Sequence, residues 1–139
     1  VNFSRIGGLP LSSHYILKKG HFILIYPEQS MWWNYRKPRP LKAGGFQFAV
    51  KAGVPVLPMF ITTEDTDVIG GDGFPILAYT VHILPAIYPD PAKNARENAR
   101  AMAQANYDAW KRVYEDFYGI PLTYTTENVG PDGIPGVSR

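Results

Sequence analysis

The segment between residues 31 and 42 carries the side chains with the clearest chemical potential in this sequence. It holds four cationic and three aromatic residues within twelve positions: Trp32, Trp33, Tyr35, Arg36, Lys37, Arg39 and Lys42. Gly44 and Gly45 follow, where the pattern predicts the N-terminus of a helix. Arginine and lysine side chains bind phosphate, and so do the backbone N–H groups at a helix N-terminus. The segment therefore predicts a phosphate site, to which Arg36, Arg39, Lys42 and Gly44 would contribute.

Two other interpretations agree with the same residue types. In the first, the segment is a solvated basic loop whose tryptophans cover the core or an oligomer contact. In the second, Trp32, Trp33 and Tyr35 lie in a membrane interface, where the cations meet anionic headgroups. The residue types alone leave all three interpretations open.

A carboxylate precedes the basic segment. Glu28 follows the apolar stretch at residues 22–25 and Pro27, and Gln29 and Ser30 come directly after it. A carboxylate at this position could orient a neighbouring group, bind a cation or accept a hydrogen bond from a substrate hydroxyl. The alternative is a structural glutamate that caps a loop or a helix.

Other chemistries find little support in the sequence. His14, His21 and His82 lack the short mutual spacing that is typical of a metal site. The absence of cysteine excludes disulfides, thiolate metal sites and a cysteine nucleophile. The sequence has neither a P-loop nor a dinucleotide-binding glycine pattern. A net charge of +2 gives little bulk attraction to nucleic acid, so we expect no nucleic-acid partner.

The elements that must position these residues alternate along the chain. Strands are predicted at residues 21–26, 54–60 and 75–84, and helices at residues 12–19, 44–52 and 92–118. This alternation predicts an α/β fold with a mostly parallel or mixed sheet flanked by helices. The strand at 21–26 is apolar on both faces, which predicts a buried position. Right-handed crossovers would then bring the ends of the first two strands, with Glu28, to one edge of the sheet.

Turn and breaker residues refine these bounds. Pro55 and Pro58 predict that the second strand is short or interrupted, because proline cannot donate to a ladder. Residues 62–74 are predicted to be a polar loop that ends in a glycine-rich turn. Asp90 and Gly119 predict the start and the end of the long helix.

The length of 139 residues corresponds to one domain or a large piece of one. We assign residues 1–118 to that domain. Residues 119–139 are rich in Pro, Gly and Thr and lack periodicity, so we expect an extended or mobile C-terminal tail.

Three segments, taken in order, resemble the glycerophospholipid acyltransferases of the 1-acyl-sn-glycerol-3-phosphate acyltransferase type. They are Tyr-Pro-Glu-Gln-Ser at residues 26–30, Pro-Leu-Lys-Ala-Gly-Gly-Phe at 40–46 and Gly-Val-Pro-Val-Leu-Pro-Met at 53–59. In that family a strand ends in Phe-Pro-Glu-Gly-Thr-Arg-Ser, a Phe-Lys-x-Gly segment opens a helix, and a Val-Pro-x-x-Pro strand follows. The resemblance covers residues 5 to about 117.

The resemblance implies transfer of an acyl group from acyl-CoA or acyl carrier protein to a lysophospholipid hydroxyl. It implies a peripheral position on the cytoplasmic side of a membrane, a role in phospholipid biosynthesis, and no metal or bound cofactor. The residues that match or replace the family's acceptor site form one set: Glu28, Gln29, Ser30, Arg36, Arg39, Lys42 and Gly44.

The departures from the family are informative. Gln29, Ser30 and Met31 stand where the family has Gly, Thr and Arg, so another cation must replace the usual phosphate-binding arginine. The family's His-x-x-x-x-Asp, which supplies the general base, does not occur in this sequence. We therefore expect no catalytic residue here, and we expect the chain to be the downstream part of an acyltransferase domain. The alternative is a diverged, non-catalytic module that binds an anionic lipid or a partner protein.

Overall fold

A computed structural model describes residues 15–28 and 36–123 of the chain. After a helical turn at residues 15–18, the chain forms α1 (Phe46–Ala52), β1 (Met59–Ile69), β2 (Pro75–Ile83) and α2 (Ala95–Tyr118). The predicted mixture of helices and strands is confirmed. The mostly parallel sheet is not found in these residues, because β1 and β2 pair antiparallel in a sheet of two strands.

The hairpin of β1 and β2 replaces most of the loop predicted at residues 62–74. The two strands pair from Met59 opposite Ile83 to Asp65 opposite Leu77, and an irregularity follows before Ile69. Only the glycine-rich end forms the turn, in which the Gly70 N–H donates to the Phe74 carbonyl at 2.8 Å. The loop prediction was wrong because pairing with β2 satisfies the backbone of a polar strand whose acidic side chains lie in solvent.

The prolines delay the start of β1, as their missing N–H groups predict. The strand expected from residue 54 begins only at Met59, directly after Pro58. Before it, Val56 and Ile87 exchange two backbone hydrogen bonds of 2.9 and 2.8 Å as an isolated antiparallel pair. The second strand of the prediction is therefore interrupted rather than regular.

The apolar stretch at residues 21–26 does not form the buried strand that the sequence predicts. Its side chains are exposed, Phe22 to 93% and Leu24 to 70%. A strand needs backbone partners on a neighbouring strand, and no described strand lies alongside this stretch. An apolar run meets the sequence criterion for a buried strand, but burial also requires neighbours that cover both faces.

Helix α2 begins and ends at recognisable caps. The Asn94 side chain accepts hydrogen bonds from the N–H groups of Arg96 and Glu97, and Gly119 ends the helix in a left-handed conformation with φ of 68°. The predicted start was a few residues early, because Asp90 caps a preceding turn instead, accepting from the Ala92 N–H at 2.9 Å. The predicted end at Gly119 is confirmed.

The core lies along one face of α2 in two clusters. Helix α1 packs on the N-terminal half of α2, and the hairpin packs on the C-terminal half. The first cluster contains Phe46, Ala49, Ala99, Met102 and Ala103, and the second contains Phe60, Trp110, Tyr114 and Leu122. Leu41 packs against both clusters, so the loop before α1 is held against α2.

The start of the predicted tail is anchored. Leu122 is buried in the second cluster, and its N–H donates to Glu115 Oε1 at 2.9 Å. The Lys37 ammonium donates to the Thr123 carbonyl at 3.1 Å. The rest of the predicted tail, residues 124–139, lies outside the described residues.

The two faces of the hairpin differ in how far the rest of the chain buries their side chains. Phe60 and Thr62 point to α2 and are buried. The cross-strand pairs Met59–Ile83 and Ile61–Val81 lie on the opposite face, and all four side chains are exposed. This face is therefore uncovered at the end that carries Met59 and Ile61, whereas Thr63, two residues further along β1, is buried.

Candidate functional site

Glu28 and Arg39 are joined by a short hydrogen bond. The Arg39 backbone N–H donates to Glu28 Oε1 at 2.7 Å, although the two residues lie eleven positions apart. A second hydrogen bond joins the same two segments, because the Lys42 N–H donates to the Pro27 carbonyl at 3.0 Å. The Pro-Glu turn and the basic segment before α1 are therefore held side by side.

The local sequence explains why Arg39 is the donor. Arg39 lies between Pro38 and Pro40, and proline has no backbone N–H. Arg39 is therefore the one residue of this tripeptide that can donate from its backbone. Because the prolines also restrict φ, the segment presents that N–H in a defined direction, toward the Glu28 carboxylate.

The environment of Glu28 changes its proton affinity. Glu28 is half-buried, and this burial raises the pKa of its carboxyl above the ordinary value. The Arg39 N–H and the positive charge of Arg39 act in the opposite direction and lower the pKa in part. A carboxyl group in these surroundings takes up a proton more readily than one in water.

Arg36 has a different partner from the one that the sequence suggests. Its side chain is 6% exposed, and its guanidinium contacts the Asp65 carboxylate of β1 at 3.3 Å. This ion pair ties the basic segment to the hairpin. A phosphate bound by Arg36 would have to compete with Asp65, so the pair places Arg36 in a positioning role beside the site.

Lys42 and Gly44 lie at the open side of the site. Lys42 is exposed, and a Cβ built on Gly44 would meet no described atom within 4 Å. Gly45 is more confined, because a Cβ there would lie 3.1 Å from the Ile25 side chain. Helix α1 has only seven residues, so its dipole adds little and the cations must supply most of any attraction for an anion.

A groove runs beside this segment, between the loop before α1 and one face of α2. Its volume is about 360 Å³. The residues that line it include Leu41, Ala43, Arg100, Ala103, Gln104 and Tyr107. Its walls are partly apolar, and Arg100 adds a cationic group within reach of the loop that also carries Lys42.

Sequence reasoning missed several of these residues. Asp65 was predicted to lie in a loop, and nothing in its sequence neighbourhood indicates a partner 29 positions away. Arg100, Gln104 and Tyr107 could have been found, because steps of four and three residues place them on one helix face. Gln29 and Ser30, as well as Trp32, Trp33 and Tyr35, lie outside the described residues.

The histidines of the described residues lie apart from this site. His82 is half-buried on β2, hydrogen-bonded to Thr62 Oγ1 at 2.8 Å and edge-on to the ring of Phe117. His21 is exposed. Within residues 15–28 and 36–123, no group of three or more His, Asp or Glu side chains is arranged to hold a metal ion.

Comparisons with known proteins add no family assignment. No family model, curated protein or solved structure matches this chain. No helix in the described part of the chain is long and apolar enough to cross a bilayer.

Proposed function

We propose that this chain provides the acceptor-binding part of an acyltransferase. The enzyme moves an acyl group from acyl-CoA or acyl carrier protein to the hydroxyl of a lysophospholipid such as 1-acylglycerol 3-phosphate. Arg39 and Lys42 attract the acceptor phosphate, and Glu28 fixes the segment that carries them. In this proposal the chain is part of an acyltransferase-type α/β domain.

The observation that supports this proposal is the 2.7 Å bond between the Arg39 N–H and Glu28. The motif resemblance requires the Pro-Glu turn and the Lys-x-Gly segment to form one site. A direct backbone–carboxylate bond between the two segments is what such a site needs. Lys42, exposed beside the same turn, supplies a cation that can reach an incoming phosphate.

Acyl transfer needs a nucleophile, a leaving group and a general base. The acceptor hydroxyl attacks the thioester carbonyl, the thiol of the donor leaves, and a general base takes the hydroxyl proton. This sequence has no His-x-x-x-x-Asp, so the proposal assigns no catalytic residue to it. No metal or bound cofactor is required, because the thioester donor is itself a substrate. In this proposal the enzyme acts at the cytoplasmic surface of a membrane, where the lysophospholipid acceptor is available.

Binding of lysophosphatidate to the purified chain tests the proposal. Isothermal titration below the micelle concentration compares lysophosphatidate with the monoacylglycerol of the same chain length, which lacks the phosphate. We expect Lys42→Ala and Arg39→Ala to weaken lysophosphatidate binding about two- to fivefold, because ion pairs at an exposed lysine and a half-buried arginine near the surface contribute modestly. Monoacylglycerol binding should not change.

Lys51→Ala is the matched control, because Lys51 is an exposed lysine in the last turn of α1. An equal loss of affinity in Lys51→Ala and Lys42→Ala would indicate bulk charge rather than a site and would contradict the proposal. The chain alone should not turn over acyl-CoA, since it lacks the base. In an enzyme that includes that base, the Arg39 and Lys42 variants should affect kcat/KM for the acceptor more than for the donor.

The absence of a catalytic base in this sequence also favours a second candidate, a non-catalytic module that binds an anionic lipid or a partner protein. The two candidates differ in one measurement. If an enzyme that contains this chain shows no acyl transfer while lysophosphatidate binding depends on Lys42, the binding module is the better description.

A further inference from the structure

Charge is divided unevenly along the chain. All 14 lysines and arginines lie outside the segment from residue 52 to residue 92. The hairpin of β1 and β2 lies within that segment, and it carries four carboxylates: Glu64, Asp65, Asp67 and Asp72. Since the whole chain has a net charge of +2 and the hairpin has −4, the residues outside the hairpin have a net charge of +6. One copy of the chain therefore carries two regions of opposite charge that complement each other.

The hairpin tip, residues 67–76, is apolar as well as acidic. Four large apolar side chains of the tip are between 51% and 61% exposed: Val68, Ile69, Phe74 and Ile76. Asp65 is paired with Arg36, but Glu64 and Asp67 are exposed and form no ion pair with a cation of the described residues. Exposed apolar side chains rimmed by charged ones are typical of a surface that contacts another protein.

The apolar stretch at residues 21–26 is a second exposed surface, and its charge has the opposite sign. Phe22, Leu24 and Tyr26 are 93%, 70% and 77% exposed. Lys18 and Lys19 directly precede the stretch, are exposed, and have no carboxylate partner within residues 15–28 and 36–123. No acidic residue occurs between residues 15 and 27. This surface combines large apolar side chains with cations, as the tip combines them with carboxylates.

The two surfaces do not cover each other within one chain, because the side chains of both are exposed. A second copy of the chain offers each surface a partner that matches it in polarity and in charge. Contact would remove apolar side chains of both copies from water and bring carboxylates close to lysines.

We propose that the hairpin tip of one copy docks on the apolar stretch of a second copy. Phe74 and its apolar neighbours in the tip pack against Phe22 and Leu24, and the free carboxylates beside the tip face the two lysines. The contact is heterologous, because two different surfaces meet, so it can repeat from copy to copy. The inference concerns assembly; it goes beyond the proposed function and does not rest on it.

Sedimentation velocity of the full chain over a range of concentrations tests the inference. The exposed area of the tip falls short of the roughly 800 Å² per partner of a standard interface, so we expect a weak contact, micromolar or weaker. Association should decrease between about 0.1 and 1 M sodium chloride, where the Debye length falls from roughly 10 to 3 Å. A chain that stays monomeric up to about 1 mM at the lower salt concentration would overturn the inference.

Two variants locate the contact, one on each surface. Phe74→Ser alters the tip and Phe22→Ser alters the apolar stretch, and each should weaken self-association at least tenfold, because a central aromatic ring often dominates a contact. A mixture of the two variants should form dimers, since each variant keeps the surface that the other lacks. Tyr88→Ser, at a 71% exposed aromatic residue outside both surfaces, is the control and should associate as the unaltered chain does. Thermal unfolding of each variant establishes that the fold is intact.

A pair of charge variants tests the role of the carboxylates. Glu64→Gln combined with Asp67→Asn should weaken self-association about three- to tenfold. Glu97→Gln combined with Asp116→Asn removes two exposed carboxylates from α2 and gives the same net charge, and it should have little effect. Equal losses in the two double variants would attribute the effect to net charge and contradict the inference. It is also wrong if the unaltered chain associates while the mixture of Phe74→Ser and Phe22→Ser stays monomeric.

Discussion

The Tyr118 hydroxyl holds both backbone polar groups of Thr63. It accepts a hydrogen bond from the Thr63 N–H at 2.9 Å and donates one to the Thr63 carbonyl at 3.1 Å. In an antiparallel strand the N–H and C=O of one residue point to the same side, so these groups point away from β2. The hydroxyl at the C-terminal end of α2 therefore takes the place of a neighbouring strand at this position of the β1 edge.

Removal of that hydroxyl should destabilise the protein. In Tyr118→Phe, two backbone groups of a buried residue lose their partner while the ring contacts with Tyr114 and Phe117 are kept. We expect the free energy of unfolding to fall by about 1–3 kcal/mol, the usual cost of unpaired buried polar groups. Urea denaturation measures it. Tyr88→Phe, at a residue that is 71% exposed, is the control and should change stability little. Equal effects of the two substitutions would show that the Thr63 contacts contribute nothing.

At the other end of α2, the Asn98 side chain likewise bonds to both backbone polar groups of one residue, Asp90. The Asp90 N–H donates to Asn98 Oδ1 at 2.9 Å, and Asn98 Nδ2 donates to the Asp90 carbonyl at 2.6 Å. The side chain is buried, so water cannot replace either bond. Asn98→Ala should cost about 2–3 kcal/mol of stability in chemical denaturation.

The aspartate variant separates hydrogen bonding from volume. Asn98→Asp keeps the size of the side chain, but a carboxylate cannot donate to the Asp90 carbonyl. We expect Asn98→Asp to be as destabilising as Asn98→Ala at neutral pH and to regain stability in acid, where the carboxyl can donate. Gln104→Ala, an exposed amide on the same helix, serves as the control. If Asn98→Asp is as stable as the unaltered protein at neutral pH, the bond from Asn98 Nδ2 to the Asp90 carbonyl contributes little to stability.

Local signals in the sequence predicted the bounds of α2 and β2, although β2 also needs its partner β1 to form. The three- and four-residue spacing of the buried residues of α2 and the glycine at its end are properties of the helix itself. The strand at 75–84 was likewise predicted close to its observed bounds. The apolar stretch at 21–26 and the polar half of β1 were predicted wrongly, since their conformations depend on what lies alongside them.

The arrangement of the candidate site was predictable only in part. Glu28, Arg39 and Lys42 were named from the sequence, and the backbone bonds at Arg39 and Lys42 bring the three residues together. The pairing of Arg36 with Asp65 was not predictable, because it depends on how the hairpin packs against the basic segment.

The protonation of Glu28 should make stability depend on pH. Because burial raises the pKa of Glu28, the folded chain binds more protons than the unfolded chain at pH values between the ordinary glutamate pKa, about 4.3, and the higher folded value. This contribution to stability is fully present below that window and is lost as the pH rises through the folded pKa.

Glu28→Gln removes the titration and keeps an oxygen that can accept from the Arg39 N–H. We therefore expect the Tm of Glu28→Gln, relative to the unaltered protein, to increase as the pH is raised from 4 to 7. Glu97→Gln, at an exposed glutamate in the first turn of α2, is the control and should not show this increase. A Tm difference that is constant with pH would contradict the raised pKa of Glu28.

The uncovered face of the hairpin should affect association more than stability. Ile61 and Val81 are cross-strand partners and each is about half exposed, 50% and 51%. Threonine keeps the β-branched shape that favours strands, so the double substitution Ile61→Thr and Val81→Thr should lower stability by at most about 1 kcal/mol. Phe60→Ala, on the covered face against Trp110, should cost about 3–5 kcal/mol because it opens a cavity. Exposed apolar patches promote contact between molecules, so the threonine variant should also sediment with less concentration dependence. If that variant loses as much stability as Phe60→Ala, the face assigned as exposed is in fact packed, and the assignment of the two hairpin faces is wrong.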